Sequence, residues 1–461
     1  MIRIFRHYIS GIFLGLILME TSVFFSSVYC GLILRYQTVL PFDSIVLIQS
    51  TVFTLTMLMS NTGMGLYQRS QTWGEAGLLL RILVSLLLGT LFMGLLFYSF
   101  PTIAIGRGVL GYALLTSFIG ITVIRLSFYA MVDQKVLKRR VVVLGAGRNA
   151  EKIVDLEKAN LMQNIWVIGC IVREEQPVYV PEDKLIRLRI PLYEYVLSEQ
   201  IDEIVIAPDD RRKGLPVEEI LDCKMYGFEV VDFLTFFERE AGFIRVDSLY
   251  PSWLVYSDGF RMGFFRIGTK RIFDILISLL LLSLTWPIML LTMFAIKLES
   301  RFREPVFYIQ TRVGMSWRLF NLIKFRSMRP DAESGCGPRM TSRHDQRITR
   351  VGRFIRTTRI DELPQLFNVL SGEMSLVGPR PERPEFVEQF AGSIPYYSER
   401  HRVKPGITGW AQLCYPYGEN EQDALQKLQY DLYYVKNYSL FFDLIIILQT
   451  IEVVLWGKGA R

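Results

Sequence analysis

Long apolar runs fill the first 130 residues of the chain, and shorter patterned segments come after them. Four runs come first, at about 9–34, 43–62, 78–100 and 108–131. Each is close to the ~20 residues a helix needs to cross ~30 Å of hydrocarbon. Arg3 and Arg6 precede the first run, Arg69 and Arg81 flank the second connection, and Lys135, Lys138, Arg139 and Arg140 follow the fourth. Arg35 and Arg107 are the lone basic residues of the first and third connections. By the positive-inside rule both ends of this four-span bundle, residues 1–136, face the cytoplasm. Glu20, inside the first run, reads as a carboxyl turned towards another helix rather than as a proton relay.

The pattern then changes period. Arg139 to Leu144 is a β-branched run leading into Gly145-Ala-Gly147-Arg-Asn-Ala150, a GxGxxA turn followed by a helical pattern. Trp166–Val172 and Glu203–Ala207 read as further buried strands. Strand, glycine turn and helix open a βαβ unit and predict a Rossmann-like α/β domain over 137–250, with Gly145, Gly147 and Ala150 as candidate nucleotide-binding positions. The second strand should end on an acidic residue that grips a ribose, and the chain has Val172-Arg173-Glu174 there. No Tyr-x-x-x-Lys dyad follows. A scaffold, regulatory or homodimer-forming domain that keeps the glycines for packing fits better than a working dehydrogenase.

A fifth apolar run, Ile272 to Ile296, has basic residues on both flanks, Lys270 and Arg271 before it and Lys297, Arg301 and Arg303 after it. Pro287 removes one helical hydrogen bond near its middle. A re-entrant helix over 270–299 and a kinked fifth span both satisfy that pattern. The flanking charges favour the re-entrant form, which keeps the chain beyond residue 299 in the cytoplasm. Leu440–Leu455 is short and carries Asp443, Gln449 and Glu452, so it reads as a helix packed at the interface.

Composition agrees with a membrane protein: half the residues are hydrophobic, and the mean hydropathy is +0.27. Five scattered cysteines (Cys30, Cys170, Cys223, Cys336, Cys414) show no metal spacing and read as free thiols. Charge is concentrated in one place. Residues 301–360 hold fourteen Lys/Arg and four Asp/Glu, an excess of ten against +7 for the whole chain, so the remainder is net acidic. The stretch lies beside a membrane run and matches no nucleic-acid reader, which excludes nucleic acid as the expected partner. It leads to Asp361-Glu362-Leu-Pro364-Gln365.

Pro364 can sit in a helix only within its first turn, which predicts Asp361 at or near an N-cap and Glu362 at about N1. One reading of the pair is a helix cap beside a solvated arginine face, and another is a lipid-facing basic surface. A third is a phosphate-handling site. There a helix N-terminus lowers the pKa of Asp361, Arg356 and Arg380 spread phosphate charge, and the carboxylate attacks phosphorus.

The segments KFRSM, RxGRFIR, DELPQLFNVLSGEMSLVGPRP and VKPGITGWAQ resemble the catalytic domain of the monotopic phosphoglycosyl transferases, the bacterial sugar transferases. The likeness is specific over 265–461, and the preceding bundle and Rossmann-like segment resemble the large polyprenyl-type members. Tyr256-Ser257-Asp258-Gly259-Phe260 and the YDLYYVKN segment suggest the branch found with exosortase-type exopolysaccharide clusters. The resemblance implies an enzyme of the bacterial inner membrane, with its soluble domains in the cytoplasm, that takes a UDP-sugar and undecaprenyl phosphate to undecaprenyl-diphosphate-sugar and UMP. It also implies Mg²⁺ held by Asp361 and Glu362, with Asp361 as nucleophile and Glu362 as its partner. Lys324, Arg326, Arg356 and Arg380 would bind phosphate and Asp431 would complete the acidic site. The pair that breaks the re-entrant helix is Trp286-Pro287 here, where many members have Ser-Pro. The rival class is a membrane-tethered nucleotide sensor that uses the GxGxxA domain and only docks its basic segment on lipid.

Overall fold

Each long apolar run folds as a helix, because in hydrocarbon a helix satisfies its own backbone amides and carbonyls. The helices are α1 (Gly11–Tyr36), α2 (Ser44–Gly63), α3 (Glu75–Ser99) and α4 (Arg107–Asp133). This computed structural model describes residues 2–4, 7–9, 11–37, 43–67, 75–133, 138–158, 165–172, 177–209, 215–257, 259–260, 263–329, 347–415 and 420–455. Arg6, Arg69, Lys135, Arg173, Glu174, Asp258, Cys336 and His344 lie outside them. The chain divides into two compact units, one ending at Gly242 and the other beginning at Phe243.

In the first unit α1 packs along α4, and α2 lies against both α1 and α3. Phe24, Phe53, Met57, Ile82 and Ile121 are fully buried between them, while Leu18, Leu91 and Val123 project outwards. Glu20 does face another helix. Its carboxylate lies 2.7 Å from Arg125 Nε of α4, and both side chains are fully buried. Tyr67 and Asn61 also donate to it, and Arg125 Nη1 donates to Leu66 O at 2.8 Å. Ionised groups in the apolar interior survive when paired in this way.

The same unit contains a five-stranded parallel sheet made of β1 (Arg139–Leu144), β2 (Ile165–Ile171), β3 (Leu185–Ile186), β4 (Glu203–Ile206) and β5 (Glu229–Asp232). Its order is β3-β2-β1-β4-β5, with Val141 opposite Glu203. Val141, Val142 and Val143 are fully buried, as a sheet covered on both faces requires. Helix α5 (Arg148–Lys158) follows β1, and α6 (Leu192–Ser198) and α7 (Val217–Met225) pack Leu192, Val196 and Cys223 onto the sheet. The sequence pattern missed β5, whose polar ends interrupt alternation. Among the described residues Cys30, Cys170, Cys223 and Cys414 form no disulfide.

The second unit is built on a 36-residue helix, α8 (Phe264–Glu299), with Pro287 inside it. At 1.5 Å per residue it is about 54 Å long, far more than the ~30 Å of a bilayer core. Leu279, Leu284, Trp286 and Leu291 stand exposed along its middle. Among the described residues five helices, α1 to α4 and α8, are long and apolar enough to cross a membrane. Both ends of α8 are tied into the rest of the second unit. Lys270 Nζ reaches Asp443 at 2.6 Å, and Asp274 accepts from Leu376 N. At the other end Glu299 accepts from Arg350 N at 2.8 Å. Next comes the antiparallel hairpin of β6 (Phe307–Val313) and β7 (Leu319–Phe325). Helices α9 (Arg350–Thr357) and α10 (Gln365–Ser371) succeed it, then the parallel pair β8 (Ser375–Val377) and β9 (Gly406–Thr408). Helices α11 (Glu421–Asn437) and α12 (Leu440–Leu455) close the unit. Met289 and Ile296 of α8 pack with Phe325 and Ile355, and Ile360 and Leu363 rest on that cluster.

Candidate functional site

Asp361 and Glu362 lie between Ile360 and Leu363, so the apolar neighbours dock on the α8 cluster and hold the two carboxylates in place. Several sequence features build the turn. Thr349 caps α9 by accepting from Gly352 N at 2.9 Å. A Cβ on Gly352 would collide with Ser327 O, so only glycine lets α9 approach this strand extension. Arg359 takes the left-handed conformation at φ 59°, an unfavourable state for a β-carbon-bearing residue, and reverses the chain into a 3₁₀ turn, Ile360–Glu362. Helix α10 begins only at Gln365, with Pro364 in the capping position and no side-chain cap. The expected N-cap role of Asp361 is therefore corrected: the pair sits one 3₁₀ turn ahead of the helix.

Asn368 fixes the distance to β7. Its side-chain oxygen accepts from Ile323 N at 3.0 Å and its amide donates to Asn321 O at 2.8 Å. Arg271 of α8 donates to the terminal carbonyls of α10, Val369 O and Leu370 O. These ties bring Lys324, near the end of β7, to Glu362, with Nζ 3.4 Å from Oε1. Arg380 reaches the same oxygen at 3.4 Å and Arg359 at 3.6 Å. Arg380 stands in Gly378-Pro-Arg-Pro, where the backbone passes so close to Gly406 that a Cβ on either glycine would strike main-chain atoms.

The two carboxylates have opposite acidities. Burial, then the neighbouring Glu362 charge, raises the pKa of Asp361, while Lys324, Arg356 and Arg359 temper the rise. Burial also opposes ionisation of Glu362, but Lys324, Arg380 and Arg359 together hold it well below the usual carboxylate range. The expected lowering of Asp361 by a helix terminus is thus reversed, because the cap is absent and burial dominates. One carboxylate is a fixed anion in a cationic nest. The other titrates nearer neutrality beside it.

Two of the expected phosphate-site residues stand elsewhere. Arg326 is two residues beyond Lys324, but the strand ends at Phe325, and its buried guanidinium pairs with Glu304. Asp431 of α11 is buried against Arg400 at 2.8 Å and does not complete the acidic site. Arg400, which sequence reasoning left without a role, links the layers. Its Nη2 also donates to Arg380 O at 3.0 Å, and its Nη1 donates to Tyr397 OH at 2.7 Å. Burial raises Asp431 to about 6, against the pull of Arg400 and Lys427. No spacing signal relates Arg400 to Asp431, since the contact is purely tertiary. Trp410, Tyr433 and Phe442 pack as an aromatic cluster, as a core role predicts.

No group of three or more Asp, Glu, His or Cys side chains gathers among the described residues. Asp361 and Glu362 are two adjacent carboxylates, a donor set of the kind through which Mg²⁺ binds when phosphate oxygens and water fill its other positions.

In the first unit Gly145 has φ +124° and a Cβ there would meet Ala207 O at 2.8 Å, so the turn after β1 requires glycine. Gly147 and Ala150 open α5, and the amides of Arg148 and Asn149 both donate to the carboxylate of Asp209.

The bacterial sugar transferase family profile matches residues 265–457, and that of a CoA-binding domain matches 63–208. The UDP-N-acetylgalactosamine-undecaprenyl-phosphate N-acetylgalactosaminephosphotransferase of Aeromonas hydrophila is 49% identical over 192 residues, 42% of this chain and 45% of that protein. The undecaprenyl-phosphate glucose phosphotransferase of Komagataeibacter xylinus is 46% identical over 198 residues, 41% of this chain and 36% of that protein. These matches span less than half the length of those relatives. A longer match joins the UDP-galactose-lipid carrier transferase of Erwinia amylovora, 30% identical over 71% of this chain and 70% of that protein.

Proposed function

Because the chain belongs to the polyprenyl-phosphate phosphoglycosyl transferases of the bacterial sugar transferase family, we propose that it moves a sugar-1-phosphate from a UDP-sugar to undecaprenyl phosphate. The products are undecaprenyl-diphosphate-sugar and UMP, a first membrane step in exopolysaccharide synthesis. The observation that carries this reading is the buried Asp361–Glu362 pair, with three cationic side chains converging on one oxygen of Glu362.

In the first half-reaction an Asp361 carboxylate oxygen attacks the sugar-bearing phosphorus of the UDP-sugar. The bond from that phosphorus to the bridging diphosphate oxygen breaks, and UMP leaves with the electron pair. In the second half-reaction a phosphate oxygen of undecaprenyl phosphate attacks the same phosphorus and releases Asp361. Burial that raises the pKa of Asp361 also strips it of hydration, which makes its ionised form the better nucleophile. Lys324, Arg356, Arg359 and Arg380 spread the phosphoryl charge, and Glu362 keeps Lys324 and Arg380 aimed at the site. Asp361 and Glu362 would hold Mg²⁺ together with diphosphate oxygens, and the bound ion would supply further charge neutralisation.

The reading includes a re-entrant α8 that enters and leaves the membrane on the cytoplasmic face. Its support is that Lys270 and Asp274 at one end and Glu299 at the other anchor in the same unit. That arrangement would bring a soluble nucleotide sugar and a lipid phosphate to one carboxylate.

The test uses purified full-length protein. UMP release from a UDP-sugar should require both undecaprenyl phosphate and Mg²⁺ at steady state, and Asp361→Asn should abolish it. A phosphosugar adduct on Asp361 should appear by mass spectrometry. Full activity in Asp361→Asn would remove the nucleophile assignment.

A further inference from the structure

We propose that the glycine turn of the five-stranded sheet binds no nucleotide, because the chain's own Asp209 occupies the seat where a diphosphate would lie. In a sheet ordered β3-β2-β1-β4-β5 the ligand crevice opens at the carboxyl ends of β1 and β4, where the strand order reverses. The turn after β1 has the two glycines that such a crevice uses to bring backbone amides close to phosphate. Asp209 follows β4, on the opposite lip.

Its carboxylate spans the crevice. Oδ2 accepts from Arg148 N at 2.8 Å and Oδ1 from Asn149 N at 2.9 Å, so both oxygens engage the first amides of α5. These are the donors that a helix N-terminus would offer a phosphate. A Cβ on Gly147 would collide with the same carboxylate, so a larger residue there would push Asp209 off these amides. Asn149 Nδ2 adds a second tie across the crevice, donating to Pro208 O at 3.0 Å. The covering side is also engaged: Tyr179 N donates to Ala146 O at 2.9 Å and Arg148 stacks on the Tyr179 ring.

An incoming diphosphate would have to displace an anion held on the same chain and then lie beside its negative charge. The tether keeps the competing carboxylate at a high effective concentration. The glycine turn therefore serves as an internal latch between the β1–α5 turn and β4.

The experiment compares full-length wild type, Asp209→Asn and Asp209→Gly in detergent, with CoA, NAD and inorganic pyrophosphate as probes. Equilibrium dialysis measures binding and thermal unfolding measures stability. Wild type should bind none of the probes saturably at millimolar concentration. Asp209→Gly should melt at a lower temperature and bind pyrophosphate at least tenfold more tightly than wild type, with the lost stability partly restored by the added anion. Asp209→Asn keeps the shape but removes the charge, and it should show the same gain if the glycine variant does not fold. Saturable CoA or NAD binding by wild type, abolished in Gly147→Val, would overturn the proposal. So would the absence of any gain in pyrophosphate binding in the folded variants.

Discussion

Replacing Glu362 with glutamine should move the acid limb of the reaction to lower pH. In the wild type Asp361 is pushed up to about 6 by burial and then by the Glu362 charge. The isosteric amide removes that charge. It also leaves Lys324, Arg380 and Arg359, which lie 3.4, 3.4 and 3.6 Å from Glu362 Oε1, without their anion. Both changes favour ionised Asp361, so the direction is fixed. A unit charge ~6 Å away in an effective dielectric of ~20 is worth about 3 kcal/mol, or about 2 pKa units. Screening by water at the partly open site reduces this towards about one unit. The assay is the pH dependence of single-turnover UMP release at saturating Mg²⁺, with rates extrapolated to saturating UDP-sugar. The limb should fall by one to about two units while the plateau rate drops, since Glu362 no longer organises the cations. A limb that stays in place, or rises, would refute the coupling between the two carboxylates as the origin of the pH dependence.

The surrounding layers lead to two further outcomes. Arg400→Ala would leave buried Asp431 unpaired and should cost about 3 kcal/mol or more of stability by thermal or denaturant unfolding, whereas Arg400→Lys should fold yet lose at least about tenfold in kcat because the Arg380 carbonyl loses its donor. A kcat unchanged in Arg400→Lys would remove its positioning role. Single cysteines at Arg266 and Arg301, in a background free of the five natural ones, should both react with an impermeant maleimide from the same side of sealed vesicles; labelling from opposite sides would exclude a re-entrant α8.

The helices were legible because membrane-length apolar runs have one common solution. The predicted runs match α1 to α4 to within a few residues. The βαβ opening was legible too, since a β-branched run, glycines and a helical period coincide at 139–158. Local rules reached Asp361-Glu362 together with Arg356 and Arg380, because the arginine excess, Pro364 and the Pro-flanked turn are all visible in the sequence, while Lys324 came in only through the family resemblance. They failed where partners meet through the fold. Lys270 and Asp443 read as a flank charge and a polar interruption, yet they form one buried pair. Arg326 looked equivalent to Lys324 until the strand ended between them. Asp209 lies about sixty residues from the turn it fills, and the left-handed Arg359 carries no sequence mark because its strain is imposed by the packing on both sides.

The buried pair of Glu20 and Arg125 also bears on how the protein is made. The acid belongs to the first membrane helix and the base to the fourth. During synthesis α1 leaves the ribosome long before its counterion exists, and an unpaired carboxylate in hydrocarbon is costly. The first helix must therefore stay hydrated or chaperoned until the fourth arrives. Assembly of the bundle then has an obligatory last event, the meeting of its two outermost segments. A chain truncated after α3 should be a substrate for membrane quality control, however apolar its three helices are.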